Sequence, residues 1–380
     1  MNSLPKYIFY PNISTYIPIA EQSYNLILLW TDLFSNVDWH QPTYFNQSIV
    51  VACSTKHVCR FTRDRNQLSQ ASTIGFHLYD LNRYHLPERA NRSGQNQTWI
   101  FITGESPVNF YYQNPSFSTY LFDMYFDRSI SYKYDSPYSI FAPQLITRNS
   151  SFEHEKKLNL ESLKLKKKAI AWIVSNCATF SRRENYVDEL KKYISVDIFG
   201  RCGQACEQRT RQCQMNLDDY YFYLSFENSR CNSYITEKFW NIILDKKHRL
   251  VPIVMGGIDK DYERIAPKHS FINVNQFKSP EELAKYLHSL IQNPMKYLEY
   301  LQWREYTQLE SHQQAAWTNF LCPLCEMSYD KHLLPSERLN FSAWFNPSTE
   351  CHPDDVQLWK KCKQTTLNTF MGFRHRIKCP

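Results

Sequence analysis

The sequence predicts an α/β protein of two domains, and three observations carry that reading. At 380 residues the chain exceeds the roughly 200 to 250 residues that a single core usually holds. Beyond about residue 160, apolar strand-like runs alternate with amphipathic helical segments, the pattern of a parallel, doubly wound sheet. A hydrophobic fraction of 43%, including 26 Tyr, 24 Phe and 9 Trp, supplies enough apolar surface for both halves to fold and excludes intrinsic disorder.

In chain order, residues 25–30, 48–53, 73–78 and 98–103 are short apolar runs between polar loops and read as strands of one open sheet. Residues 153–168 are charged and lack a strong apolar stripe, so they are expected to be a solvated linker. Residues 169–175 form a continuous apolar strand. Ser181-Arg182-Arg183-Glu184 then reads as a capping box opening a helix with Tyr186, Val187, Leu190 and Ile194 on its core side. Residues 196–199 close a β-α-β unit. A strand at 221–226 leads to a helix expected over about 233–246, and the strand 251–255 ends at Gly256-Gly257. A second capping box, Ser279-Pro280-Glu281-Glu282, starts a helix carrying Leu283, Leu287 and Leu290. The last 60 residues hold Cys322, Cys325, Cys351, Cys362 and Cys379 with little periodicity, so crosslinks rather than a core are expected to hold them.

Composition narrows the function. None of the 8 glycines is spaced as Gly-x-Gly, which removes the dinucleotide fingerprint and the P-loop. The net charge of +7, from 44 basic and 37 acidic side chains, suits an anionic small ligand better than a nucleic acid. Twelve cysteines and sequons at Asn12, Asn46, Asn91, Asn96, Asn149 and Asn340 point together to the secretory pathway. No run approaches the roughly 20 apolar residues of a membrane span, and the first 25 residues show no signal-peptide pattern. Attachment to a membrane is therefore expected only through an N-terminal anchor not visible in this chain.

Ligands of doubly wound sheets sit at the carboxyl ends of the strands. The densest chemistry falls at such an end: Phe226-Glu227-Asn228-Ser229, then Tyr234-Ile235-Thr236-Glu237-Lys238. On the expected helix Tyr234, Glu237 and Lys238 stand at i, i+3 and i+4 and share one face, with Trp240, Ile243 and Leu244 as the buried stripe. A carboxylate there can accept from ribose hydroxyls, and an ammonium near a helix N-terminus can pair with a diphosphate. The plainer alternative is a capped helix with a solvent-facing Glu-Lys pair. Arg183 makes a separate case: an arginine in the first turn of a helix sits at the positive end of the macrodipole, which is costly unless an anion or carboxylate answers it.

These residues resemble the signature of the alpha-1,3-fucosyltransferase family, glycosyltransferase family 10. Ala171-Trp172-Ile173-Val174-Ser175-Asn176, Val196-Asp197-Ile198 before Gly200-Arg201-Cys202-Gly203, and Val251-Pro252-Ile253-Val254-Met255-Gly256 agree with it. So do Leu28-Leu29-Trp30-Thr31 and Glu105-Ser106-Pro107, and the likeness runs collinearly over about residues 26–325. The resemblance implies a GT-B architecture, two Rossmann-like lobes facing across a cleft: a stem remnant at 1–25, an acceptor lobe at 26–160, a GDP-fucose lobe at 161–320 and a Cys-rich extension at 321–380. It implies that Arg183, Asn228, Tyr234, Glu237 and Lys238 bind the donor and that Glu105 is the general base.

The implied reaction is transfer of L-fucose from GDP-β-L-fucose, with inversion, in alpha-1,3 linkage to GlcNAc of an N-glycan or lactosamine acceptor on glycoproteins, in the Golgi lumen. It requires no cofactor, with a divalent cation such as Mn at most stimulatory, and Asp259-Lys260-Asp261 is taken as a surface turn rather than a metal site. Ser131-Tyr132-Lys133 and Asp135-Ser136-Pro137 depart from the family's acceptor-lobe pattern. Cys53 and Cys59 are implied to bond to Cys322 and Cys325, against a competing local Cys322–Cys325 bridge. Two other classes remain as alternatives: an inactive glycan-binding relative, which the presence of Glu105, Arg183, Glu237 and Lys238 argues against, and a zinc-binding interaction protein using Cys202, Cys206, Cys213 or the Cys322, Cys325 pair.

Overall fold

The computed structural model describes residues 24–32, 48–53, 56–81, 85–88, 97–114, 122–134, 136, 138–141, 144–147, 152–205, 215–258, 260–310, 318–330, 340–370 and 379–380. The chain divides into two units. The first comprises Met1–Glu105, Ser116–Ile140 and His312–Asn346, and the second Ser106–Pro115, Phe141–Ser311 and Pro347–Pro380.

In the first unit β1 (Asn25–Leu29), β2 (Ser48–Ala52), β3 (Val58–Thr62), β4 (Thr73–His77), β5 (Thr98–Thr103), β6 (Arg128–Ser131) and β7 (Tyr138–Ser139) form one sheet ordered β2-β3-β1-β4-β5-β6-β7. Every neighbouring pair is parallel except β2 with β3. Strand β4 is buried along its whole length, as a parallel strand covered on both faces must be. The helix Thr318–Tyr329 is stapled to this sheet by the disulfides Cys53–Cys322 and Cys59–Cys325. The pairing implied by the family resemblance is therefore present, and the local bridge is not. Tyr329 Oη donates to Val58 O at 2.7 Å beside these bonds.

An aromatic core fills this unit: the Phe101 ring centroid lies 5.2 Å from Phe126, 5.1 Å from Phe341 and 5.2 Å from Trp344. Lys133 is buried against it, donating to Trp344 O at 2.9 Å with its ammonium 4.3 Å from the Trp344 ring centroid.

In the second unit β8 (Gln144–Thr147) pairs antiparallel with β14 (Thr307–Glu310). The main sheet is made of β9 (Lys168–Ile173), β10 (Val196–Phe199), β11 (Tyr220–Phe226), β12 (Val251–Met255) and β13 (Ile272–Asn273), ordered β10-β9-β11-β12-β13 and parallel throughout. Its core joins Ile170, Phe222, Leu224 and Ile253 of the strands to Val187 and Leu190 of one helix and Leu283, Leu287 and Leu290 of another. Both units are thus α/β with mainly parallel sheets, the class the sequence predicts.

Four local expectations are corrected. The charged stretch expected to be a linker contains the helix Phe152–Leu163. A polar residue helps to dock it beside Leu163, which packs on the core: buried Asn159 accepts from Arg249 Nη1 at 2.6 Å and donates to Leu301 O at 3.3 Å. Lys166, expected to be solvated, is buried and donates to Tyr220 O at 2.8 Å and His248 O at 3.0 Å. Ser181 does not cap the helix Arg183–Leu190: its N-cap is Arg182, in the left-handed region at φ 52°, and the Ser181 hydroxyl donates to Glu227 O at 2.8 Å.

The C-terminal segment carries the helices Phe341–Trp344, Pro347–Glu350 and Pro353–Phe370 and buries Leu321, Leu324, Val356 and Leu358, so apolar contacts hold it as well as the disulfides Cys231–Cys351 and Cys362–Cys379. Among the sequons only Asn340 lies within the described residues, where its side chain caps the helix Phe341–Trp344. No helix among the described residues is long and apolar enough to cross a membrane.

Candidate functional site

The strand order of the second sheet locates the site. From β9 the chain moves outward to β10 on one side, then returns to β11 on the other, so the topological switch point lies between the carboxyl ends of β9 and β11. The loop after β9 and the loop after β11 meet there. Ser181 N–H donates to Asn228 O at 3.2 Å, and the Arg183 guanidinium bridges the loops by donating to Asn176 O at 3.0 Å and Phe226 O at 2.5 Å. The disulfide Cys177–Cys202 ties the first of these loops to the turn after β10.

Arg183 is buried, with its guanidinium carbon 5.6 Å from the Trp172 ring centroid. Burial pushes its pKa down and the charge of Glu227 opposes that shift. The anion that the sequence required beside Arg183 is thus partly supplied from within, by two carbonyl oxygens and the field of Glu227. Its Nε has no hydrogen-bond partner among the described residues.

The helix after β11 starts later than expected, at Glu237 rather than near Ser233, and spans Glu237–Leu244. The cause is Glu227, which no local pattern reveals. This glutamate is fully buried, and its carboxylate accepts from Thr236 N at 2.8 Å and from the Thr236 hydroxyl at 2.8 Å, fixing Thr236 as the N-cap. Gly256 makes room for it: a Cβ at that position would stand 2.6 Å from Glu227 Cγ. Tyr234 therefore lies before the cap, buried in the loop, and does not share a helical face with Glu237 and Lys238.

Lys238 is held by three acceptors, Thr236 Oγ1 at 2.8 Å, Glu237 Oε1 at 3.0 Å and Glu227 Oε2 at 3.1 Å. Burial would lower its pKa, but Glu227 and Glu237 outweigh that and push it up, so the ammonium is charged. Burial raises the Glu227 carboxyl against the pull of Lys238. Glu237 is also lifted by its surroundings, yet the adjacent Lys238 holds it below the usual carboxylate range. The side chains of Lys238 and Glu237 are 26% and 48% exposed, so a fixed cation and a carboxylate are open to solvent at the switch point.

Of the residues named from sequence, Asn228 and Tyr234 lie on the second of these loops, and Arg183, Glu237 and Lys238 in the first turns of the helices that follow the two loops, all in the second unit. Glu105 belongs to the first unit, in the loop directly after β5, half-buried, with its N–H donating to Thr103 Oγ1 at 3.3 Å. The residue that follows it, Ser106, belongs to the second unit and accepts from the Ser229 hydroxyl at 2.5 Å. Asp261 is not on a surface turn: it is buried and accepts from Ser233 N at 2.7 Å and Ile258 N at 2.8 Å. Asp259, Asp135, Cys206 and Cys213 lie outside the described residues. Cys202, Cys322 and Cys325 are disulfide-bonded, so they are not the thiolates a zinc site would take.

A parallel sheet with a charged lysine, a buried arginine and a carboxylate gathered at its switch point defines an α/β protein with the chemistry suited to an anionic, nucleotide-like ligand. Two family models match this chain, "Fucosyltransferase, N-terminal" over residues 22–143 and "Glycosyltransferase family 10 (fucosyltransferase) C-term" over residues 163–344. The 4-galactosyl-N-acetylglucosaminide 3-alpha-L-fucosyltransferase FUT5 of Hylobates lar is 33% identical over 330 residues, 84% of this chain and 80% of that protein. The glycoprotein 3-alpha-L-fucosyltransferase A of Drosophila melanogaster is 41% identical over 216 residues, 56% of this chain and 40% of that protein. A crystal structure of an alpha1,3-fucosyltransferase with GDP-fucose covers 86% of this chain and 95% of that chain at 18% identity, with a TM-score of 0.47. The chain belongs to glycosyltransferase family 10, the fucosyltransferases, and is an enzyme of the alpha-1,3 class that transfers fucose to glycans.

Proposed function

We propose that the enzyme takes L-fucose from GDP-β-L-fucose and transfers it with inversion, in alpha-1,3 linkage, to GlcNAc of an N-glycan or lactosamine acceptor on glycoproteins. The observation that carries the donor reading is Lys238, a charged ammonium fixed by Thr236, Glu237 and Glu227 at the switch point of a parallel sheet. There it would pair with the diphosphate, while Arg183 adds positive potential and Glu237 accepts from ribose hydroxyls. Asn228 and Tyr234, on the loop before that helix, are assigned to the same donor site.

Glu105 acts as the base: its carboxylate takes the proton of the acceptor hydroxyl, the hydroxyl oxygen bonds to fucose C1, and the C1–O bond to the β-phosphate breaks, so that GDP leaves with its negative charge. Lys238 and Arg183 stabilise the charge that develops on that leaving group. We assign residues 26–160 to acceptor binding and 161–320 to donor binding. The reaction needs no cofactor in this reading, and a chelator should leave turnover largely in place, with added Mn at most stimulatory. The disulfides support an oxidising compartment, in keeping with the Golgi lumen.

The test is turnover of GDP-fucose against N-glycan and lactosamine acceptors, for the parent and for Glu105→Gln. Loss of the base should cut transfer by about 10²- to 10⁴-fold while GDP titrates as in the parent. A loss of GDP affinity comparable to the loss of rate would overturn the assignment of Glu105.

A further inference from the structure

The loop that carries Asn228 and Tyr234 is tethered from a part of the chain that neither family model reaches, since the second of them ends at residue 344. A disulfide and five hydrogen bonds join residues 230–232 to residues 350–355, and the Arg230 guanidinium also lies 3.6 Å from Asp354 Oδ2. Cys231 is disulfide-bonded to Cys351. The Arg230 side chain donates to Asp355 Oδ1 from Nε at 2.9 Å and from Nη2 at 2.5 Å, while Arg230 N–H donates to Asp355 Oδ2 at 2.6 Å. Asn232 N–H donates to Glu350 O at 2.6 Å, and His352 N–H donates to Arg230 O at 2.7 Å.

Asp355 is fully buried at the start of the helix Pro353–Phe370, so this carboxylate is committed to the loop rather than to solvent. The helix is itself seated in the second unit through Val356 and Leu358, with the Trp359 ring 6.3 Å from Tyr111.

The loop needs such support. Ser233, a non-glycine residue, sits at φ 62°, a conformation that persists only where the surroundings over-determine it. Asp261 holds it from one side through Ser233 N–H at 2.7 Å, and residues 350–355 hold it from the other. Directly after Ser233 come Tyr234 and the cap Thr236 that presents Lys238.

We propose that Asp355, with the Cys231–Cys351 bond, is a positioning residue for the donor nucleotide: the C-terminal segment clamps the loop 228–236 in the geometry that sets Lys238 and Asn228 for a nucleoside diphosphate. This inference rests on the donor reading of the switch-point site. Asp355 touches no substrate; it acts through Arg230 and the loop. An arginine and a buried carboxylate meeting through three charge-assisted hydrogen bonds fix orientation as well as distance, which a single bond would not.

The experiment compares the parent, Asp355→Asn, Asp355→Glu and the double variant Cys231→Ala/Cys351→Ala. It measures KM for GDP-fucose, kcat at saturating donor, KM for acceptor, GDP affinity by calorimetry and melting temperature with and without GDP. Asp355→Asn and the cysteine pair should raise the GDP dissociation constant and the GDP-fucose KM about tenfold, or about 1.4 kcal/mol. They should leave kcat and the acceptor KM within about twofold, with Asp355→Glu recovering part of the affinity. Variants that melt earlier but bind GDP as the parent does would show a merely structural role and overturn the proposal. A parent that binds no GDP would refute the donor reading itself, and the clamp with it.

Discussion

Lys238→Ala removes a cation from a carboxylate that has no access to water, and the structure sets what that should cost. Glu227 is fully buried, and its partners are the Thr236 N–H at 2.8 Å, the Thr236 hydroxyl at 2.8 Å and the Lys238 ammonium at 3.1 Å. Breaking a buried ion pair by deleting one member typically costs 3 to 5 kcal/mol, roughly, because the other charge is stranded. Thr236 keeps two donors on Glu227 and Lys238 is itself 26% exposed, so the expected loss is lower, about 2 to 3 kcal/mol. Glu227→Gln alone should cost less, about 1 kcal/mol, since Lys238 retains Glu237 at 3.0 Å and Thr236 at 2.8 Å.

The double variant Lys238→Ala/Glu227→Gln then carries no stranded charge and should be more stable than Lys238→Ala by at least about 1 kcal/mol, a positive coupling that a double-mutant cycle reads directly. Denaturant unfolding measures the stability terms and GDP titration the function. Donor affinity should fall by about 10- to 100-fold in both variants lacking the lysine, because Glu227→Gln repairs the fold and not the proposed phosphate contact.

The pH dependence supplies a second check. Burial raises the Glu227 pKa above its ordinary 4.5, and without Lys238 nothing of comparable strength pulls it back. A carboxyl whose folded pKa is raised contributes stability that is fully present below the unfolded value and lost as pH climbs through the folded value. The Lys238→Ala deficit should therefore be small near pH 4.5 and grow toward neutrality, while the double variant shows no such growth. A double variant no more stable than Lys238→Ala at pH 7 would mean that Glu227 is not the group stranded, and the reasoning would fail.

Two further outcomes follow from groups away from the site. Burial pushes Lys166 down to about 8 from 10.5, so parent stability should rise as pH climbs from 8 toward 10.5 by roughly 3 kcal/mol more than that of Lys166→Met, read as the difference between the two denaturation series. The bonds Cys53–Cys322 and Cys59–Cys325 close nearly the same loop, with separations of 269 and 266 residues. In the chain-entropy model removing either as a Cys→Ala pair should cost only about 2 to 3 kcal/mol, because the survivor still closes the long loop, whereas removing both should cost about 8 kcal/mol. Additive losses in denaturant melts would contradict this shared-loop account.

The parallel strands and the signature residues were legible in the sequence for a local reason. Strands buried on both faces must be continuous apolar runs, and β9, β11 and β12 are such runs. A lysine and an arginine at the ends of such strands belong to the small set of residues a phosphate site uses.

What fixes those residues was not legible, because the partners lie outside the element they fix, some of them far along the chain. The start of the helix Glu237–Leu244 depends on Glu227, nine residues before its cap, and the helix Phe152–Leu163 docks through an asparagine whose partners are Arg249 and Leu301. The loop between Asn228 and Thr236 depends on Asp355, 125 residues from Arg230. Hydrophobic periodicity reports which face of an element is buried and is silent on which buried carboxylate a backbone N–H will meet. Pairings of that kind are where a change outside the signature, such as one in the tail beyond residue 344, is expected to alter donor binding if the proposed clamp holds.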